Sequence, residues 1–319
     1  MGISIIIPTY NRKEALERCI DSILLQTRMP LELIVVDDGK LGDIPCRRRL
    51  EAKGVSCFLR RKDRTEKQGL TISKNIGVGI SSGDIILFLD DDVRLESDYL
   101  QVVTQFFQSK FDPGVGGMAG QINGSGKGLS LYRYAEFLFN VLFLISPLRQ
   151  GRLTATGYCE QNLLFQAFPV KKICQARIIG GGISAFKRRV FDSFAFSEDY
   201  EKPNCRGEDK DFSLRVSSTY TLYIVPQARL FHDHIELERA PRFDRGKDLI
   251  FSAYRLFSRY IRRHRWQNIL FYYSTLGIVI RSLALWIVSV CDGDEELNEW
   301  LRVKGTLYAL GQVILRGKI

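Results

Sequence analysis

Three short apolar runs each stop on polar or acidic residues, and this pattern restricts the fold more than any other feature of the chain. Ile3 to Ile7 is β-branched and stops at Pro8, before Thr9-Tyr10-Asn11. Leu33 to Val36 closes on Asp37-Asp38-Gly39, and Ile85 to Leu89 closes on Asp90-Asp91-Asp92. Unbroken apolar runs of this length suit strands covered on both faces, as in a parallel sheet. Between them, Asn11 to Leu25 carries Ala15, Leu16, Ile20, Ile23 and Leu24 at helical spacing, and Thr71 to Gly79 reads as another helix. Val55 to Arg60 supplies a further strand. Strand and helix alternating over about 90 residues predict a doubly wound α/β domain. Ligands of such sheets bind beyond the carboxyl ends of the strands, which is where the polar clusters converge.

The remainder is less regular. Gly114 to Gly128 is glycine-rich and reads as a mobile loop or turn series. Leu129 to Leu148 is strongly apolar, and Ile178 to Phe186 contains Gly180-Gly181-Gly182. Gly207-Glu208-Asp209 opens a helical run over Asp211 to Val216, and Leu222 to Val225 is a strand candidate. At 319 residues the chain has room for one large or two modest domains, and 45% apolar with 26% charged residues excludes a disordered tail protein. The N-terminus reads as a first strand, with no basic region ahead of its short apolar run. Seven scattered cysteines show no zinc-type spacing and suit reduced thiols.

Two carboxylates at i and i+2 on a turn, as in Asp90 to Asp92, suit one hard divalent cation; a solvated turn capping a helix is the plainer alternative. Asp37-Asp38 at a neighbouring strand end favours the metal reading. A net charge of +10 points to an anionic partner. The clusters Arg47 to Arg49, Arg60 to Arg64 and Lys187 to Arg189 come with no nucleic-acid-reading motif, so no nucleic-acid partner is expected.

Five segments in order resemble family-2 inverting glycosyltransferases: Ser-Ile-Ile-Ile-Pro-Thr-Tyr-Asn-Arg (4–12), Ile-Val-Val-Asp-Asp-Gly (34–39), Ser-Lys-Asn-Ile-Gly (73–77), Leu-Phe-Leu-Asp-Asp-Asp (87–92) and Gly-Glu-Asp-Lys-Asp-Phe-Ser-Leu-Arg (207–215). The resemblance implies an α/β GT-A fold with a Rossmann-like mixed sheet, a nucleotide-sugar donor (a UDP-sugar favoured) and Mn2+ or Mg2+. It places Pro8, Thr9 and Tyr10 along the nucleotide, Asp38 on the base with Asp37 beside it, and Lys74 and Asn75 near ribose or phosphate. Asp90 and Asp91 fall at the donor, Asp90 on ribose or sugar, and Asp92 on the metal. Lys40 and Lys74 depart from the residues relatives often carry there. Asp209 matches the base that takes the acceptor proton, with Glu208 as its neighbouring alternative and Gly180, Gly181 and Gly182 as the acceptor loop. The plainer reading keeps Glu208 and Asp209 as first-turn acids favoured by the helix dipole. Imidazole beside carboxylates suits manganese, so His232 is the expected third ligand, with His234 behind it. Arg239 and Arg242 either reach the diphosphate or are solvated surface charges.

Beyond residue 240 the composition shifts, giving a GT-A domain over 1–240 and a helical segment over 241–319. A basic run from Arg255 to Arg265 precedes Ile269 to Cys291, whose one charge is Arg281. Twenty-three residues suffice to cross ~30 Å of hydrocarbon. The segment reads as lying on an anionic leaflet at the cytoplasmic face, as a helix buried in the protein or packed in a homo-oligomer, or as crossing. The insertion at Gly120 to Leu164 lies where relatives carry acceptor-specific elements and resembles members of cell-surface glycan assembly, so a glycan or lipid-linked acceptor is expected. On the residues alone, nucleotidyl or sugar-phosphate transfer and a non-catalytic binding subunit stay open.

Overall fold

The computed structural model describes residues 1–63, 65–109, 113–123, 131–159, 170–200, 207–233, 241–291 and 298–316. The chain forms two compact units. One holds Met1–Gly126, Pro169–Pro203 and Glu208–Ile235; the other holds Lys127–Phe168, Asn204–Gly207 and Glu236–Ile319.

Among the described residues, the first unit is built on a nine-stranded sheet. Its strands are β1 (Ile3–Thr9), β2 (Glu32–Asp37), β3 (Ser56–Arg61), β4 (Ile85–Leu89), β5 (Val93–Leu95), β6 (Val115–Ile122), β7 (Cys174–Ala176), β8 (Ile183–Lys187) and β9 (Thr221–His232). The helices of this unit are α1 (Lys13–Leu24), α2 (Arg47–Glu51), α3 (Leu70–Ile80) and α4 (Tyr99–Ser109), with α6 (Glu208–Val216) later in the chain; α5 (Leu131–Leu142) belongs to the other unit. The strand order is β3-β2-β1-β4-β8-β6-β9-β5, with β7 also on β9. The β3-β2-β1-β4 half is parallel, as the early apolar runs predict. Beyond β4 the sheet is mixed, because β8 runs antiparallel to β4 and β6, and β5 antiparallel to β9.

The periodicity over Asn11 to Leu25 forms α1, whose face of Leu16, Cys19, Ile20 and Ile23 is fully buried against the sheet. Two expectations need correction. Pro8 does not end β1, which continues to Thr9 opposite Asp37. Only Ile3 to Ile6 pair with β4, so the proline, which has no N–H to donate, falls where that side needs none. The glycine-rich stretch after Gly114 is not a loop: Val115 to Ile122 forms a central strand, and its glycines admit rings. A Cβ at Gly117 would lie 2.6 Å from the Phe186 ring, and one at Gly120 would lie 2.8 Å from Tyr99. Residues 124–130 lie outside the described residues.

The second unit contains α5, α7 (Arg242–Leu256), α8 (Asn268–Cys291) and α9 (Asn298–Arg316). Its core gathers Ile145, Tyr158, Ile250, Tyr254, Phe271 and Ile278. Phe271 stacks on both Tyr158 and Phe257 at 5.6 and 5.3 Å between centroids. Gly246 and Gly305 let α7 and α9 approach closely, since a Cβ at either would strike the partner's backbone. Leu129 to Leu148 thus contributes α5 to a helical unit that also contains the C-terminal helices.

Gly117→Ala is expected to destabilise the protein by about 1–3 kcal/mol, because neither the Phe186 ring nor the Ala185 carbonyl can recede. Gly79→Ala, inside α3 with open space around it, is expected to stabilise by about 0.5–1 kcal/mol. Urea midpoints of the two variants check both signs.

Candidate active site

Three aspartates in succession follow β4, and the sheet delivers counter-charges to them from separate elements. The β5–β9 pairing sets Val93 opposite His232, which puts the imidazole level with Asp92. His232 Nε2 lies 3.5 Å from an Asp92 oxygen and 3.7 Å from an Asp90 oxygen. Arg94 and Asp233 lock this register with a two-pronged ion pair at 2.6 and 2.8 Å. From the start of α1, Arg12 reaches Asp91 at 3.3 Å and Asp92 at 3.5 Å. Asp91 turns inward, accepting from the Thr9 hydroxyl at 2.7 Å.

Burial acts on these carboxyls unequally. It pushes Asp91 up to about 6, against the pull of Thr9 and Arg12. Burial and the Asp90 charge also raise Asp92, although His232 and Arg12 pull it down. At Asp90 burial is outweighed by the His232 hydrogen bond and by the Lys74 and Arg12 charges, so its carboxyl lies below the usual range. His232 is raised, chiefly by the Asp90 carboxylate beside it.

Asp90, Asp92 and His232 each offer one ligand atom, all within 4.8 Å of one another. Two carboxylates and an imidazole form a donor set suited to Mn2+ or Mg2+, so the residues fit a divalent metal. Asp90, expected on ribose or sugar, therefore joins the same group as Asp92 and His232. His234 lies outside the described residues.

The glycine loop comes next because β8 runs antiparallel to β4. That pairing sets Ile183 opposite Leu89 and Gly182 beside Asp90, whose N–H donates to the Gly182 carbonyl at 3.0 Å. A Cβ on Gly182 would sit 1.9 Å from the Asp90 carboxyl carbon. One on Gly181 would sit 2.8 Å from the Asp209 side chain and 3.0 Å from the Lys74 ammonium. One glycine thus abuts the metal-type group, and its neighbour abuts the Glu208-Asp209 pair. That pair opens α6, which is fastened by Ser213 to the backbone of Ile179 and by Phe212 stacked 4.1 Å from Phe196. Burial, then the Asp209 charge, raises the Glu208 carboxyl, and Lys74 opposes the rise. Lys74 is 1% exposed, 3.5 Å from Glu208 and 5.0 Å from the Phe196 ring centre.

The predicted nucleotide residues divide. Tyr10 is exposed, whereas Thr9 is buried on Asp91. Asp37 receives the Gly39 and Leu41 N–H groups, both at 2.7 Å, and so shapes the turn after β2. Asp38 is held by Lys62 at 2.6 Å, the Gly69 N–H at 3.0 Å and the Ser73 hydroxyl at 2.9 Å. Asn75 clasps the Phe196 backbone through both ends of its amide. Arg242 belongs to the second unit, where it pairs with Glu299. Arg239 lies outside the described residues.

Arg12 and Lys62 were not singled out from sequence, and only Arg12 left a signal there. A cation at a helix N-terminus opposes the dipole, so Arg12 needs a nearby anion to settle there. Lys62 follows β3, and the parallel register Asp37↔Arg61 places it level with Asp38.

Added Mn2+ is expected to raise the melting temperature of the wild type in calorimetric scanning, and Gly182→Ala, by displacing Asp90, is expected to abolish that rise. Between pH 4 and about 6 the folded protein keeps a proton on Asp91 that the unfolded chain releases. The native state then binds more protons, so this contribution to stability falls as pH rises through that window. Melting temperatures of metal-free wild type and Asp91→Asn should show a flatter pH dependence in the variant.

Residues 4–193 match Glycosyl transferase family 2. A β-1,3-glucosyltransferase of Campylobacter jejuni acting on GalNAc(5)-diNAcBac-PP-undecaprenol is 36% identical over 111 residues, covering 32% of this chain and 33% of the relative. Matches to the first curated relatives span only 14% to 36% of their lengths. Two solved structures share the fold. The mannosyltransferase PcManGT from Pyrobaculum calidifontis, in complex with GDP-Man and Mn2+, has a TM-score of 0.55 at 16% identity and covers 99% of this chain and 88% of its own. GalNAc-T7 with UDP, GalNAc and Mn2+ has a TM-score of 0.50 at 15% identity, covering 73% and 44%. The mixed sheet is accordingly a GT-A sheet. Matched over more than half its length, with the acidic triplet at the end of β4 inside the matched span, the chain belongs to glycosyl transferase family 2.

Proposed function

We propose that the protein is a metal-dependent inverting glycosyltransferase that moves a sugar from a nucleoside-diphosphate donor to a glycan or lipid-linked acceptor in cell-surface polysaccharide synthesis. The observation that carries this reading is the single glycine loop with Asp90, Asp92 and His232 on one side and Glu208 and Asp209 on the other. Such an arrangement sets a leaving-group site and a proton acceptor on either side of one loop, whose glycines let the Asp90 carboxyl and the Asp209 and Lys74 side chains come up against its backbone.

In the proposed reaction the acceptor oxygen forms a bond to the anomeric carbon as that carbon's bond to the diphosphate breaks. Attack from the face opposite the leaving group inverts configuration. The acceptor proton passes to the Asp209 carboxylate, which the start of α6 presents beside Gly181. Glu208 orients the site, and buried Lys74 is its charged partner at 3.5 Å. Asp90, Asp92 and His232 would hold the metal, and a divalent cation there would offset the charge gathering on the departing diphosphate. The Mn2+ in both related structures supports the metal part of the reading. Asp38, fixed by Lys62, offers a rigid acceptor edge for the base of a UDP-sugar.

Asp209→Asn is expected to lower transfer by about 10²–10⁴-fold, the usual contribution of a positioned base, while donor affinity stays unchanged. Nucleotide release assays give the first quantity, and calorimetric titration with UDP or GDP plus Mn2+ gives the second. Loss of donor affinity in this variant would remove Asp209 from the role of base. Retention of anomeric configuration in the product, read by proton NMR, would overturn the inverting mechanism.

A further inference from the structure

The helix α8 has one face inside the protein and one outside, and the two differ in chemistry. Inward lie Phe271, Ser274, Thr275, Ile278 and Ser282, all buried. Gly277 admits the Phe143 ring just beyond α5, and the Tyr273 hydroxyl donates to the Leu142 carbonyl at 3.1 Å. The charge that interrupts the apolar sequence, Arg281, donates to Asn140 of α5 at 3.1 Å. Outward lie Ile269, Tyr273, Leu276, Ile280 and Ile287, all exposed, with Ile269 at 68% and Leu276 at 52%. Their spacing of four, three, four and seven draws one stripe about 27 Å long, at 1.5 Å per residue. Leu142 of α5, 64% exposed beside Tyr273, extends it sideways.

We propose that this face docks on an anionic lipid bilayer, with α8 lying in the plane of the interface. Charge identifies the occupant. From Arg255 to Cys291 the chain has six arginines and no aspartate or glutamate. Arg263 and Arg265 stand exposed beside Trp266, itself 61% exposed, at the entry to the stripe. Cations and an indole at the edge of an apolar face match the headgroup level of a negatively charged leaflet.

The segment Arg265–Cys291 is long and apolar enough to cross a membrane, its most apolar 18 residues having a mean hydropathy of 1.8. The packing argues against crossing. A third of its most apolar window is buried in the protein, and α5 would have to enter the hydrocarbon with it. With its inner side, Arg281 included, already engaged by the protein, the helix has only its outer apolar stripe to offer to lipid.

The test is co-sedimentation of the full chain with phosphatidylglycerol-containing vesicles and with pure phosphatidylcholine vesicles, compared with two exposed-site variants. Leu276→Glu/Ile280→Glu should weaken binding to the anionic vesicles about tenfold or more, through lost apolar burial. Arg263→Gln/Arg265→Gln should weaken binding to the anionic vesicles alone and make it less sensitive to salt. If the first variant fails to melt cooperatively, the arginine variant decides. Absence of vesicle binding by the wild type, or binding unmoved by the substitutions, overturns the proposal. A dimer in sedimentation equilibrium that dissociates on Leu276→Glu/Ile280→Glu, without vesicle binding, would give the face to a second copy. Sedimentation does not depend on sugar transfer, so failure of the enzymatic reading leaves this result unaffected.

Discussion

Concentrated negative charge at the end of β4 is the constraint around which the first unit is arranged. Three consecutive carboxyls in a partly buried turn repel one another and lose hydration, and such a turn persists only where opposite charge is supplied. Arg12 comes from the start of α1, His232 from the last strand and Lys74 from α3. None of the three is near the aspartates in sequence, so the charge balance depends on the strand order and on the β5–β9 register. A one-residue slip of β9 would turn His232 to the other face of the sheet. The Arg94–Asp233 pair, one residue away on each strand, holds that register.

The second organising device is the absence of side chains at chosen places. Gly117 and Gly120 admit aromatic rings and make β6 a closely packed central strand. Gly181 and Gly182 admit charged groups in the same way, the Asp90 carboxyl against one and the Asp209 and Lys74 side chains against the other. The same residue type therefore seats rings in the sheet and charged side chains in the loop, and only its surroundings distinguish the two.

Much of the parallel half was legible in the sequence, because Ile3 to Ile7, Leu33 to Val36 and Ile85 to Leu89 each declare a buried strand and its polar end. In the mixed half only Leu222 to Val225, inside β9, was legible as a strand. Val115 to Ile122 has too many glycines to read as a strand, since the rings that fill its gaps lie far along the chain at Tyr99 and Phe186. At the site, the acidic triplet, His232 and the Glu208-Asp209 pair were all visible as motifs. What sequence concealed was connectivity: Asp91 turning inward to Thr9, Asn75 gripping the Phe196 backbone, and Lys62 meeting Asp38. Those contacts depend on strand register, which becomes readable only when the sheet order is known.

The turn after β2 has a consequence for how relatives of this protein diversify. Asp37 supports its own turn through two backbone amides, and Asp38 is braced by Lys62, Gly69 and Ser73. Replacing either aspartate would disturb the loop. Tyr10 and Lys40 flank the same region with exposed side chains, and the fold does not bury them. Variation at these two positions is structurally cheap, whereas a change at either aspartate unties the turn that both hold.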